Sequence, residues 1–180
     1  GVRITLAPDW GPSGAKSPLH ELKMADWWNQ NKMNGKFSDY ELAQMVTSNA
    51  ADAMHWNTHV GRIQDGLSAD LLVVDNIAEN PYRTLIEAID PDVRLSIVGG
   101  IPVFGDLDLM QAMNGNDYEI INGSGFQKAV DITYDSVEDG SQTFSFVESE
   151  LTKAMRFDRQ EMFDDWGHDS YTWSEFNAWL

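Results

Sequence analysis

Residues 2–23 read Val-Arg-Ile-Thr-Leu-Ala-Pro-Asp-Trp-Gly-Pro-Ser-Gly-Ala-Lys-Ser-Pro-Leu-His-Glu-Leu-Lys. Val2, Ile4 and Leu6 are apolar at every second position, so the run to Ala7 reads as a half-buried strand rich in β-branched side chains. Pro8, Gly11, Pro12 and Gly14 then enforce a loop, because proline lacks a ladder N–H and glycine weakens both helix and sheet. Ser13 or Ser17 can cap the helix that follows. The carboxylate of Asp9 is thus expected at the carboxyl end of a strand, at the mouth of a strand-loop-helix unit. Open α/β sheets and α/β barrels place ligands and catalytic groups there. From position alone, an Asp before a loop is more often an ordinary turn former or cap, since its side chain accepts backbone hydrogen bonds. The residues around it separate the two readings.

Leu-Ala-Pro-Asp-Trp-Gly-Pro-Ser-Gly at 6–14, followed by Leu-His-Glu-Leu-Lys at 19–23, resembles the last barrel strand of the metal-dependent amidohydrolases. Thr47-Ser48-Asn49-Ala50-Ala51 and Gly61-Arg62-Ile63 resemble that family's end of barrel. Asp65-Gly66, Ala69-Asp70-Leu71-Leu72-Val73-Val74-Asp75, Asn80-Pro81-Tyr82, Val93-Arg94-Leu95 and Val98-Gly99-Gly100-Ile101-Pro102-Val103-Phe104-Gly105-Asp106 continue the likeness in the same order. It covers residues 1–106 well and Asn122-Gly123 to Asp131 more loosely. Pro8 stands where the family commonly has Thr or Ser, and His20 where Glu or a hydrophobe is usual. Neither departure removes the carboxylate.

The resemblance implies an α/β to α+β chain: the C-terminal part of a TIM-barrel amidohydrolase. Residues 1–60 would be the end of the (β/α)8 barrel, 61–106 part of a small β-sandwich, and 107–180 a C-terminal extension of helix and short strands. The implied activity is hydrolysis of C–N bonds other than peptide bonds, in an amide, cyclic amide or amidine-like small molecule. In the family, histidines on earlier strands, sometimes with a carboxylated lysine, hold one or two divalent metals. Asp9 is carried over as both catalytic residue and metal ligand: it would orient the attacking water, accept its proton and pass that proton to the leaving amine. Zinc comes first among the implied metals of the full-length protein, and this stretch alone need not hold one. The substrate-binding residues are not legible, because a barrel's specificity loops lie mostly on other strands.

A lone parallel strand at the start has no neighbours to satisfy its backbone, so the expected partner is a missing N-terminal barrel portion or another copy of the chain. Alone, the 180 residues are expected to be inactive. Two other classes stay open: a non-catalytic module that self-associates through unpaired strand edges, and an acidic α/β enzyme that uses Asp9 as a nucleophile.

Composition narrows the partners. Twelve basic against 29 acidic residues give a formal charge of −17, which repels the phosphates of nucleic acid and of anionic membranes. No apolar run approaches the roughly 18 residues that span a bilayer, and the start shows no signal-peptide pattern. Localisation stays open, the cytoplasm slightly favoured and a removed signal peptide still compatible. Without cysteine there is neither disulfide nor thiolate metal site.

Further along, Leu19, Leu22, Trp27 and Trp28 space as the apolar face of a helix ending near Asn31 to Gly35. Ser38-x-x-Glu41 is a capping box, ahead of a second helix carrying Tyr40, Leu42, Met45, Val46 and Ala50. The aromatic and Met residues of both read as core. Ile63 and Leu71–Val74 read as strands, the second buried on both faces, followed by a short helix near Arg83 to Ile89. Gly99-Gly100 between apolar runs signals a two-residue hairpin. A short helix at Leu107, Met110 and Met113, strands at 118–121 and 129–132, and a helix carrying Phe144, Val147, Leu151, Ala154 and Met155 complete the pattern. The aromatic tail, with Trp166, Trp173, Phe176 and Trp179, is expected to dock on something. His55 and His59, four apart, could share a helix face and chelate a metal, yet no third ligand accompanies them. His20 and His168 have no partner in the sequence.

Overall fold

The structure is a computed structural model that describes residues 2–9, 15–123, 125–133 and 142–155. It divides into two compact units, residues 1–131 and 132–180.

In the first unit, helix α1 runs Pro18–Lys32. Ser17 caps it, its hydroxyl accepting from the His20 N–H at 3.3 Å, and Pro18 fills the first turn, where no donor is needed. It ends where Asn34 and Gly35 turn left-handed, at φ 56° and 65°, and the Gly35 N–H returns to the Asn29 carbonyl at 2.9 Å. Helix α2, Asp39–Met45, starts on the expected capping box: Ser38 N–H to Glu41 Oε2 at 2.8 Å, and Glu41 N–H to Ser38 Oγ at 3.3 Å. The single second helix expected from the pattern is two. Val46 and Thr47 break it, and helix α3, Ser48–Ala53, follows. Thr47 leaves helical geometry at φ −126° and ψ −100° while its hydroxyl bonds back to the Ala43 carbonyl at 2.8 Å, the local competition typical of threonine. Helix α4, Pro81–Glu87, is capped by Asn80.

Strands β1 (Leu71–Val74), β2 (Val93–Val98), β3 (Ile101–Gly105), β4 (Glu119–Asn122) and β5 (Gln127–Val130) form one antiparallel sheet in the order β1-β2-β3-β5-β4. Gly99 and Gly100 make the β2–β3 turn at φ 58° and 87°, both left-handed, as the glycine pair predicts. Asp70 tightens it by accepting from the Gly99 N–H at 2.7 Å. Helix α5, Leu107–Asn114, packs on the sheet. The sheet thus runs across residue 106.

Two cores form. Leu19, Leu22, Leu42, Met45, Ile86 and Val93 join α1, α2, α4 and the start of β2, while Leu95, Met110 and Ala129 join the sheet to α5. Leu22, Ile86 and Met110 are at most 1% exposed, and each such side chain contributes about 1.5–3 kcal/mol. In the second unit, helix α6 spans Phe144–Met155, matching its apolar stripe.

Four expectations are corrected. Residues 2–7 are not in a strand, and Val2 is 94% exposed, because alternation makes a strand only where a neighbour supplies the ladder. Ile63, 93% exposed, lies in a loop. Strand β1 is an edge, not a centre, and Leu72 and Val73 are exposed rather than buried on both faces. Trp27, Trp28 and Tyr40 are exposed rather than core, since the inward face of each helix is already filled by leucines. Among the described residues the sheet is single. The aromatic tail and His168 lie outside the described residues.

Candidate functional site

Asp9 lies just beyond a segment that is tied down without being a strand. The Leu6 N–H donates to the Met45 carbonyl at 3.0 Å, and Leu6 packs against the first core. Asn49 Nδ2 donates to the Ile4 carbonyl at 3.2 Å. Arg3 reaches Asp52 at 3.3 Å, and Asp52 also receives Arg62 at 2.8 Å. The hydrogen bond from Arg62 holds the Asp52 carboxyl below its usual range, against burial and with both arginine charges helping. These ties fix residues 3–6 on α2 and α3 and carry Asp9 to the surface, where its carboxylate is exposed. Among the described residues no hydrogen bond or ion pair engages it.

Among the described residues, His20, His55 and His59 do not join it in a metal set. His20 is exposed on the first turn of α1. His55 and His59 lie beyond the end of α3, with His55 at φ 59°, so the shared helix face that their spacing suggests does not exist. His59 Nδ1 instead meets its neighbour Thr58 Oγ1 at 2.8 Å. No three His, Asp or Glu side chains are grouped to hold a metal ion among the described residues. Asp9 can offer carboxylate oxygens only, whereas a zinc site takes three or four protein ligands. The described residues therefore do not fit a complete metal centre by themselves.

A charged clamp that spacing did not reveal lies between α1, α2 and α4. Arg83 donates to Asp26 at 2.7 and 3.2 Å and to Asp39 through Nε at 3.1 Å and a further short bond. The hydrogen bond from Arg83 holds the Asp26 carboxyl below the usual range, partly opposed by burial. Arg83 and Asp26 line an open concavity with Lys23, Trp27, Gln30 and Glu87. Burial lowers the Lys23 pKa, opposed by the charges of Asp90, Asp92 and Glu87. Its ammonium bonds the Ala88 carbonyl, and Arg83 is matched by Asp26 and Asp39, which makes this wall a joint between helices. The signal that could have found it was three charged residues facing one another from separate helices, which sequence spacing does not record.

Residues 1–117 match the Amidohydrolase family. The chain is also 36% identical over 92 residues to an imidazolonepropionase of Treponema denticola, a stretch that covers 50% of this chain and 21% of that relative. The chain thus spans about a fifth of the length of the curated relative it matches. Since the family match takes in well over half of the chain, including Asp9, the α1–α4 core and the β1–β3 sheet, the chain belongs to the amidohydrolase family.

Proposed function

We propose that this chain is part of a metal-dependent hydrolase of C–N bonds in small molecules, and that Asp9 is its catalytic carboxylate. The observation that carries the reading is the family match across residues 1–117 together with an exposed Asp9, without a partner among the described residues, beside an anchored segment. The relative bears the name imidazolonepropionase, which favours a ring C–N bond, as in a cyclic amide, as the substrate class.

In this reading residues 2–7 become the last strand of a (β/α)8 barrel once neighbouring strands are supplied, by an N-terminal barrel portion or by another copy. The alternation of Val2, Ile4 and Leu6 suits that role, and exposure of Val2 and Ile4 is what an unpartnered barrel strand would show. The metal ligands other than Asp9 would come from that partner. An Asp9 oxygen takes the proton of the attacking water and returns it to the departing nitrogen, work for which a carboxylate near a positive centre is suited. The chain alone is inactive in this reading.

The test is hydrolysis of a cyclic amide by the chain joined to its barrel portion and loaded with zinc, against the same protein carrying Asp9→Asn. Turnover should fall on the order of 100-fold or more, the range of a general base, with metal content retained. Unchanged turnover with metal bound would show Asp9 to be a loop former.

A second reading is a non-catalytic module that self-associates. It is favoured by β1 and β4, which end the sheet without a further strand among the described residues, and by exposed Leu72, Val73 and Ile120. Light scattering at micromolar concentration separates the cases: a monomer near the chain mass of 20.3 kDa would count against self-association.

A further inference from the structure

The β4–β5 hairpin is held to the rest of the sheet by a short pairing. Phe104 faces Val130, Gly105 faces Ala129, and the Asp131 N–H reaches the Val103 carbonyl at 2.9 Å. Register in a sheet is specified by alternation, because a one-residue slip sends every side chain to the opposite face. In β5 alternation is lost: Lys128, Ala129 and Val130 are buried in succession. Apolar burial alone therefore distinguishes poorly between neighbouring registers.

Slips in the two directions meet different obstacles. One would bring Val130 opposite Gly105, into the place of Ala129, which is 0% exposed against Leu95 and Met110, and packing has no room for two further methyls. The other would bring Lys128 opposite Gly105. That slip carries Lys128 into the place of Ala129, against Leu95 and Met110, so the lysine side chain is the obstacle on that side.

Lys128 is 4% exposed and each of its ammonium protons has an acceptor. Nζ lies 2.8 Å from the Pro91 carbonyl, 2.7 Å from the Val93 carbonyl and 2.5 Å from Asp106 Oδ1. Asp106 is held in turn by Arg94, which also reaches Asp75 at 3.2 Å. Burial would raise the Asp106 pKa, but the hydrogen bonds from Lys128 and Arg94 together outweigh it and keep the carboxyl below its usual range.

We propose that Lys128 sets the register of the β4–β5 hairpin, by fitting a three-acceptor socket that only one alignment of β5 on β3 can reach. A slip of one residue moves β5 by about 3.4 Å and turns the side chain to the other face, leaving a buried ammonium and Asp106 without each other. A buried ion pair adds little to net stability compared with apolar residues, whereas losing one partner costs much. That asymmetry suits a device that excludes a wrong alignment.

The test uses the full chain, whose lack of cysteine gives engineered thiols a clean background. Phe104→Cys with Val130→Cys reports the observed register, and Phe104→Cys with Ala129→Cys reports the slip that Lys128 opposes. Leu72→Cys with Ser96→Cys, a facing pair in β1 and β2, is the control. With Lys128 present the 104/130 pair should oxidise and the 104/129 pair should not. With Lys128→Ala, which puts an alanine where the slip needs one, the preference should be lost, the control disulfide should persist, and in the cysteine-free variant the Asp131 amide should lose hydrogen-exchange protection while β2–β3 amides keep theirs. Retention of the 104/130 preference and of Asp131 protection would overturn the proposal. So would loss of the control disulfide together with the others, because Lys128 would then support the whole fold rather than one alignment.

Discussion

Arg83 on α4 grips Asp26 on α1 through two guanidinium nitrogens, at 2.7 and 3.2 Å, and the same guanidinium holds Asp39 at the start of α2. One side chain thus joins three helices around the core of Leu22, Leu42 and Ile86. The side chains of Arg83, Asp26 and Asp39 are 24%, 19% and 20% exposed, so solvent screens the attraction only in part. Arg83→Gln should lower unfolding stability by about 1–2 kcal/mol, between an exposed ion pair and a buried one. Arg83→Lys should recover only part of it, because an ammonium cannot copy the two-sided fork. Urea midpoints measure both, and a silent Arg83→Gln would show the clamp to be ornamental.

Acid should weaken the fold through Asp26 and Asp106. Both carboxyls are held below their usual range in the folded state, so the unfolded chain binds their protons more tightly. Their contribution is complete above the unfolded carboxylate value of about 4 and is lost as pH falls through the lower folded values. Denaturant midpoints between about pH 6 and pH 2 should fall in that direction, and Asp26→Asn should flatten the curve. A midpoint that rises on acidification would contradict the assigned directions.

Asn29 is 1% exposed and bonds Phe37 twice, donating to its carbonyl at 2.8 Å and accepting from its N–H at 3.0 Å. It closes the turn between α1 and α2. Asn29→Leu removes both bonds and leaves the Phe37 groups to find water, which should cost about 2–3 kcal/mol. A loss under half a kcal/mol in thermal or urea unfolding would mean the turn closes without it.

Two glycines should respond differently to alanine. At Gly61, φ is 94° and an added Cβ would lie 2.4 Å from the Cβ of Ala51, so α3 must move aside. At Gly99, φ is 58° and nothing lies within 4 Å of the added atom. Gly99→Ala should cost about 1 kcal/mol, the left-handed strain alone, and Gly61→Ala distinctly more. Equal losses would show that the close approach to Ala51 relaxes freely.

Asp9→Asn should change the stability of the isolated chain by less than about 0.5 kcal/mol, as expected of an exposed side chain with no partner among the described residues. A larger loss would reveal a structural role and weaken the catalytic reading.

The sequence by itself determined what depends on near neighbours in the chain. Ser17-Pro18, the Ser38 and Glu41 box, Asn34-Gly35 and Gly99-Gly100 start, stop and turn elements through hydrogen bonds and φ angles local to them, and each does so in the structure. The order of motifs around Asp9 likewise carried the family, which the match over residues 1–117 shows. Tertiary structure decided what depends on a partner distant in sequence. Whether Val2 to Leu6 form a strand rests on neighbouring strands that alternation cannot supply, and the apolar run Leu71–Val74 reads the same at a sheet edge as at its centre. The helix stripe cannot tell whether Trp27 and Trp28 lie inside or outside the filled core. The socket of Lys128 is drawn from Pro91, Val93 and Asp106, between 22 and 37 residues away, and exists only because the sheet brings those groups within hydrogen-bonding reach.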